Sequence, residues 1–143
     1  MTRDPSCIFC QIVSGTSRCT LLAEDEAALA FMDIHPSNEG HCLVIPKGHY
    51  ATIFETPPDV FAAVGRLVVR ISVAVRDALQ PPGLSLVQAN GEAANQTVPH
   101  LHVHVLPRRR GDELPLNWSR TKKGDPSAIA DIAKRIRERL PAG

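Results

Sequence analysis

Residues 100–105 read HLHVHV, a strict alternation of histidine with an aliphatic residue. In a β-strand, side chains two residues apart point to the same face of the sheet. A strand over residues 100–106 therefore carries three imidazoles on one face and packs its aliphatic side chains on the other. Imidazole has a pKa near neutrality and fills an apolar core poorly, so three of them on one face indicate a polar task there.

Helix signals lie on both sides of this segment. The tripeptide Thr56-Pro57-Pro58, with Thr56 as the cap, is typical of a helix start. Apolar residues then recur at helical spacing and predict a helix over 57–80. A C-terminal helix is predicted to begin at Asp125-Pro126, and a short helical turn is predicted over 7–14.

Apolar runs between these helices predict about five strands. The predicted strand segments are 20–24, 27–32, 41–46, 83–89 and 100–106. We expect one α+β domain over residues 1–143, in which an antiparallel sheet packs against the long helix and a C-terminal helix follows. The first three strands are expected to form a meander, after which the long helix returns the chain to the sheet.

The charge pattern excludes several classes of partner. The formal net charge is +1, and the basic clusters at 108–110 and 122–123 are short, so neither nucleic acid nor a membrane is an expected partner.

The first ten residues lack the basic start and apolar run of a signal peptide, and we expect a cytoplasmic protein. The four cysteines are therefore predicted to be thiols or metal ligands rather than disulfides.

The residues of the histidine segment fit two chemistries. Two histidines at i and i+2 can ligate a catalytic zinc ion, but such a site needs a third ligand and a carboxylate base. The nearest carboxylates in sequence are Glu92 and Asp112. Alternatively, the central histidine acts as a nucleophile toward phosphorus, and its neighbours bind an anionic oxygen or donate a proton.

The segment VPHLHVHVLPR resembles the signature of the histidine triad (HIT) family, and other blocks resemble that family in the family's order. These blocks are CIFCQIVSG at 7–15, FMDIHPSNEGH at 31–41, HCLVIPKGH at 41–49, QANGEAANQTVPH at 88–100 and LNWSRTKKGDP at 116–126. The chain is most similar to the Hint-like branch of purine nucleotide hydrolases and phosphoramidases. This resemblance implies a HIT-like fold and a nucleotidyl-histidine intermediate.

The resemblance assigns catalytic roles to four histidines. His102 matches the nucleophile that attacks the α-phosphorus, and His104 matches the residue that contacts the phosphate and assists the leaving group. His100 and His41 match supporting histidines, and His35 is expected to line the pocket entrance.

The resemblance also implies a nucleotide-binding set. Asp33 matches the carboxylate that accepts both ribose hydroxyls. An apolar slot is implied around the base, and a loop with amide and hydroxyl groups is implied around the phosphate. The slot residues are Ile8, Phe9, Ile12, Phe31 and Ile34, and the loop residues are Asn90, Gln96 and Thr97.

The loop before the triad departs from the family pattern. Asn95 stands where relatives usually carry glycine before Gln96 and Thr97. If that position needs a positive φ, asparagine is the least costly replacement for glycine. If its backbone carbonyl instead orients the nucleophile, the identity of the side chain matters less. The loop from Asn90 to His100 is also one residue shorter than in animal relatives.

Cys7 and Cys10 form a CxxC pair, which fits either a zinc site or a metal-free pair of thiols. The resemblance implies that His49 and His100 complete a structural, tetrahedral zinc site with these two cysteines. Cys19 and Cys42 match no ligand position and are expected to be packing residues.

The leading functional prediction is a hydrolase of purine nucleoside monophosphate derivatives, of the nucleoside phosphoramidase type. A nucleotide-binding regulatory module with incidental hydrolysis is the alternative, and a dinucleoside polyphosphate hydrolase is a weaker one. The resemblance also implies a homodimer. The wide apolar surface of the helix over 57–80 favours it, with Trp118 near the partner's site.

Overall fold

The computed structural model describes residues 1–114 and 122–141. Three α-helices and five β-strands follow the predicted order. The helices are α1 Ile8–Ser14, α2 Pro58–Leu79 and α3 Pro126–Glu138, and the strands are β1 Leu21–Glu24, β2 Ala28–Met32, β3 Cys42–Pro46, β4 Gly83–Val87 and β5 Val103–Arg108. Single 3₁₀ turns cover Ile53–Glu55 and Glu92–Ala94. Trp118 lies outside the described residues, as does most of the block at 116–126.

The strands form one antiparallel sheet in the order β1-β2-β3-β5-β4. The first three strands are a meander, and α2 carries the chain from β3 to the far edge strand β4. This arrangement confirms the predicted α+β class. None of the helices in the described part of the chain combines the length and apolarity that a membrane crossing needs.

The two faces of the sheet bury different clusters because side chains alternate along each strand. Ala28, Ala30 and Met32 of β2 pack with the apolar faces of α2 and α3. Leu29 and Phe31 of the same strand point to the opposite face, where they pack against α1. The larger helices therefore stabilise one face and leave the other, only partly covered by α1, available for a site.

Several predicted boundaries differ from the structure: the strand predicted over 83–89 ends at Val87, and the one predicted over 100–106 ends at Arg108. Two further differences, at the start of β5 and at the start of α2, have a visible cause. The strand predicted over 100–106 begins at Val103, because the backbone N–H of His100 bonds the Val98 carbonyl and that of Leu101 bonds the Tyr50 carbonyl. The predicted cap Thr56 instead ends the 3₁₀ turn, and its hydroxyl donates to the Thr52 carbonyl at 2.8 Å. Pro57 is the residue before α2, and it supplies no side-chain cap.

Candidate active site and metal centre

The three triad histidines share one face, although only His104 belongs to the strand. The ring centroids of His102 and His104 lie 5.0 Å apart, and the edge of Phe9 packs against both His100 and His102. Leu101, which lies between His100 and His102 in the sequence, is fully buried. The alternation predicted from the sequence therefore continues through the irregular residues before β5.

The backbone fixes the tautomer of His102. Its Nδ1 lies 2.7 Å from the carbonyl oxygen of His100, which can only accept a hydrogen bond. The Nδ1 atom therefore carries the proton and Nε2 keeps its lone pair. Burial lowers the pKa of His102 and thereby favours the neutral ring that nucleophilic attack requires.

A second chain of hydrogen bonds fixes His41 and His104. The backbone N–H of Ser37 donates to Nδ1 of His41 at 3.1 Å, so the proton of neutral His41 is on Nε2. That Nε2–H donates to Nδ1 of His104 at 2.9 Å, which leaves the proton of His104 on Nε2. Burial, together with His102 and His41, lowers the pKa of His104 to about 3 and favours its neutral form.

Asp33 lies beside this chain. One of its carboxylate oxygens accepts the backbone N–H of His35 at 2.8 Å, and the other lies 3.5 Å from Nε2 of His41. Its own backbone N–H donates to the His41 carbonyl at 3.0 Å. The carboxylate therefore has a fixed position and keeps lone pairs for further donors.

A cavity of about 470 Å³ opens in front of these residues. Its wall contains His41, His102, His104, Asp33, Thr97, His35 and all five predicted slot residues, which are Ile8, Phe9, Ile12, Phe31 and Ile34. Three further residues line the cavity without having been predicted to do so from the sequence, namely Arg18, Cys19 and Asn95. Arg18 and Cys19 follow α1 in an irregular segment without a motif, and only the sheet order brings that segment to the cavity.

Two predicted phosphate-loop residues do not line the cavity. Oδ1 of Asn90 accepts the backbone N–H of Ile53 at 2.7 Å. The amide of Gln96 bonds Gly91 and the carbonyls of Ala51 and Val98. Both amides therefore hold the shape of the loop that carries Thr97.

The two cysteines of the CxxC pair lie close to two histidines, His49 and the triad residue His100. The ligand atoms of Cys7, Cys10, His49 and His100 all lie within 4.8 Å of one another. Sγ of Cys10 is 3.3 Å from Nδ1 of His49 and 3.6 Å from Nδ1 of His100, and Sγ of Cys7 is 3.5 Å from the same His100 atom. These are the positions that the resemblance implied.

The chemistry of this donor set fits zinc. Two thiols and two imidazole nitrogens are a usual tetrahedral zinc shell. The Nε2–H of His100 donates to the Pro46 carbonyl at 2.9 Å, so its Nδ1 faces the sulfurs unprotonated. Burial lowers the pKa of His100 to about 4 and raises that of the Cys7 thiol. The other two cysteines take no part: Cys42 is in the helix-side core, and Cys19 packs beside Phe31.

Comparison with known proteins agrees with this geometry. A sequence profile of the HIT domain matches residues 14–111. The chain is 42% identical over 103 residues to the adenosine 5'-monophosphoramidase hnt1 of Schizosaccharomyces pombe, which is 72% of this chain and 74% of that protein. It is also 42% identical over 113 residues to the adenylylsulfatase HINT3 of Arabidopsis thaliana. That match covers 79% of this chain but only 57% of the relative's length.

A solved structure is similar over nearly the whole chain. It is a zinc-bound histidine triad family protein from Mycobacterium smegmatis, 39% identical in sequence, with a TM-score of 0.82. The likeness covers 94% of this chain and 93% of that one.

Proposed function

The chain belongs to the HIT domain family, and from that premise we propose that it hydrolyses purine nucleoside monophosphate derivatives at the α-phosphate. The bond cleaved is a P–N or P–O bond, as in a nucleoside phosphoramidase. The observation that carries the proposal is the pair of fixed tautomers: His102 keeps a lone pair on Nε2, and His104 keeps a proton on Nε2.

In the first step, Nε2 of His102 attacks the phosphorus. The N–P bond forms while the bond to the leaving nitrogen or oxygen breaks, and the leaving group takes the electron pair and a proton from solvent. The ring of His102 gains positive charge, which the carbonyl of His100 stabilises through Nδ1–H. The Nε2–H of His104 donates to the leaving atom as negative charge develops there.

In the second step, water attacks the phosphorus and releases the nucleotide. The N–P bond breaks, its electron pair returns to Nε2 of His102, and the proton of the water passes to solvent. The neighbouring rings hold His102 in place through both steps, since Phe9 and His104 each pack against it in a T-shaped arrangement. This two-step route splits one difficult displacement into two easier ones.

The remaining wall of the cavity suits the nucleoside. We assign the ribose hydroxyls to the carboxylate of Asp33 and the base to the apolar slot. We assign the hydroxyl of Thr97 to the phosphate. The side-chain amides of Asn90 and Gln96 stabilise the loop through hydrogen bonds to the backbone of Ile53 and Ala51.

Removal of the nucleophile tests this function. We expect His102→Ala to lose up to roughly 10⁶-fold in kcat on adenosine and guanosine phosphoramidates. Nucleotide binding, measured by calorimetry, should persist and thereby show that the variant is folded. Intact-mass spectrometry after an alkaline quench should detect a nucleotidyl adduct on the wild type and none on His102→Ala.

Near-normal turnover by His102→Ala would contradict the covalent route. Tight nucleotide binding by the wild type without turnover on any phosphoramidate or dinucleotide would instead indicate a binding module.

We further propose one structural zinc ion per chain, held by Cys7, Cys10, His49 and His100. These four residues would complete the zinc shell and leave no position for water, so the ion would stabilise the fold without taking part in the reaction. The four ligand atoms already converge, which is the support from this chain. Free thiols at all four cysteines are consistent with a reducing, cytoplasmic setting, which we also propose.

A homodimer is the proposed assembly. Val69 on α2 is 63% exposed and Leu86 on β4 is 54% exposed, so the apolar residues of both elements extend beyond the core. Strand β4 is also an edge of the sheet. We propose a two-fold interface that joins α2 and β4 of one protomer to those of its partner.

A further inference from the structure

Arg18 is the feature of the cavity that the proposed reaction does not use. Among the cavity-lining residues of the described chain, it is the only lysine or arginine. Its side chain has no hydrogen bond or ion pair to any other described residue, whereas Asp33 and the histidines are all fixed by partners. Within the described part of the chain, the wall of the cavity thus contains one guanidinium, a hydrogen-bond donor that none of the described residues pairs with.

In the sheet order, Arg18 belongs to the β1 side and the nucleophile to the β5 side. The catalytic histidines belong to β5 or to the residues just before it, and Arg18 precedes β1 by three residues. The sheet order separates β5 from β1 by β3 and β2, a distance of about 14 Å at normal strand spacing. A nucleotide with its phosphorus at His102 therefore extends across β3 and β2 toward β1, and its base is the part that approaches Arg18.

The surroundings of Arg18 contain few other groups that can read a base. Ile8, Phe9, Ile12 and Phe31 line the cavity, and Cys19, the residue after Arg18, packs in the same apolar cluster as Phe9, Ile12 and Phe31. Apolar walls hold the flat faces of any purine but do not distinguish its edges. Arg18 is the one strong hydrogen-bond donor among these side chains.

We propose that Arg18 reads the edge of the base and gives the site a preference for 6-oxopurine nucleotides, those of guanine and hypoxanthine, over adenine nucleotides. This inference rests on the proposed function, because it takes the phosphate to be at His102. A guanidinium pairs with O6 and N7 of guanine through two parallel hydrogen bonds. Adenine presents an amino group at position 6, which is itself a donor and faces the cation unfavourably.

The size of the preference follows from the exposure of Arg18. A well-formed bidentate contact discriminates between bases by a factor of ten or more, and solvent reduces that factor at an exposed side chain. We expect GMP and IMP to bind about tenfold more tightly than AMP.

Calorimetric Kd values for GMP, IMP and AMP test the inference on four proteins: the wild type, Arg18→Ala, Arg18→Lys and Arg66→Ala. Arg18→Ala should weaken GMP and IMP by about tenfold, leave AMP nearly unchanged and so abolish the preference. Arg18→Lys should keep part of it, because an ammonium donates to O6 without the bidentate geometry. Arg66 is an exposed arginine on α2 that does not line the cavity, and its removal should change none of the three values.

Equal affinity of the wild type for GMP and AMP would overturn the inference. An equal loss of affinity for GMP and for AMP in Arg18→Ala would also overturn it, since that result would indicate a contact to the phosphate or sugar. In either case, nucleotide binding and turnover would leave the proposed function intact. Failure of the wild type to bind any of the three nucleotides would contradict the proposed function itself and the inference with it.

Discussion

Asn95 shows how a single backbone conformation shapes the loop before the triad. It has a φ of 67° and a ψ of 30°, the left-handed region in which asparagine is tolerated better than most residues. Its N–H donates to the Glu92 carbonyl at 2.9 Å and ends the 3₁₀ turn. The position therefore has the positive φ for which asparagine is the least costly replacement of glycine, and the turn forms with Asn95 in place.

This conformation predicts that two substitutions of Asn95 change the free energy of unfolding by different amounts. Asn95→Ala should lower the free energy of unfolding by about 1 kcal/mol, because a Cβ without a polar group opposes the left-handed region. Asn95→Gly should change it by only a few tenths of a kcal/mol, since relief of strain offsets the added freedom of the unfolded chain. Urea denaturation measures both.

Ala93→Gly is the matched control, because Ala93 lies in the same turn without a positive φ. It should cost about 0.4–1 kcal/mol through the unfolded state alone. If Asn95→Gly and Ala93→Gly lowered the free energy of unfolding equally, backbone strain at Asn95 would be negligible.

At the residue scale, the sequence predicted the groups that carry chemistry better than those that only line the cavity. Histidines and cysteines have restricted uses, so their spacing and family pattern identified both clusters. The cavity positions of Arg18 and Cys19 depend on the pairing of β1 with β2, which no local pattern encodes. Asn90 and Gln96 were predicted as phosphate ligands, but Asn90 accepts the backbone N–H of Ile53 and Gln96 donates to the carbonyl of Ala51.

At the element scale, helix α1 depends on the sheet for its stability. It has seven residues, too few for an isolated helix to be stable in water. Phe9 packs on the sheet, Cys7 at the N-cap of α1 contacts His100, and Cys10 in its first turn contacts both His49 and His100. The proposed zinc ion would therefore attach α1, which forms a wall of the base slot, to the strands.

We expect the purified protein to contain about one zinc ion per chain, and Cys7→Ser/Cys10→Ser to contain none. The double variant should have a lower Tm, because α1 loses its attachment to the sheet. Its kcat should fall less than that of His102→Ala, because the larger core around α2 and α3 does not involve the metal cluster. Elemental analysis, thermal denaturation and steady-state kinetics measure these three effects.

Cys19→Ser is the control for this experiment, since Cys19 lies outside the four-residue cluster. It should retain the full zinc content. A wild type without zinc, or a double variant with full zinc content, would contradict the ligand assignment.

Element identities followed from local patterns, whereas element ends depended on contacts between distant residues. All five strands and all three helices were predicted because apolar periodicity differs between them. β5 starts at Val103 rather than at residue 100 because the backbone N–H of Leu101 donates to the carbonyl of Tyr50, which is distant in sequence. The helix start moved because Thr56 belongs to a 3₁₀ turn whose capping box joins Thr52 and Glu55.

At the scale of the whole molecule, the uncovered apolar residues are unevenly placed. Seven residues of α2 are buried against the sheet and α3, yet Val69 on the same helix is mostly exposed. A side chain of this kind is normally covered, so the exposed position of Val69 marks a face of α2 on which a second protomer can pack.

The last prediction is that the protein is a dimer that depends on α2 and β4. Val69→Glu and Leu86→Glu should each shift the dimer toward monomer at micromolar concentration, because each would bury a carboxylate in the proposed interface. Leu21→Glu is the matched control, since Leu21 is 38% exposed on β1, the edge strand at the other end of the sheet. Sedimentation velocity should find that this control keeps the dimer. A wild type that is monomeric at micromolar concentration would contradict the proposed assembly, and dissociation by Leu21→Glu alone would move the interface to β1.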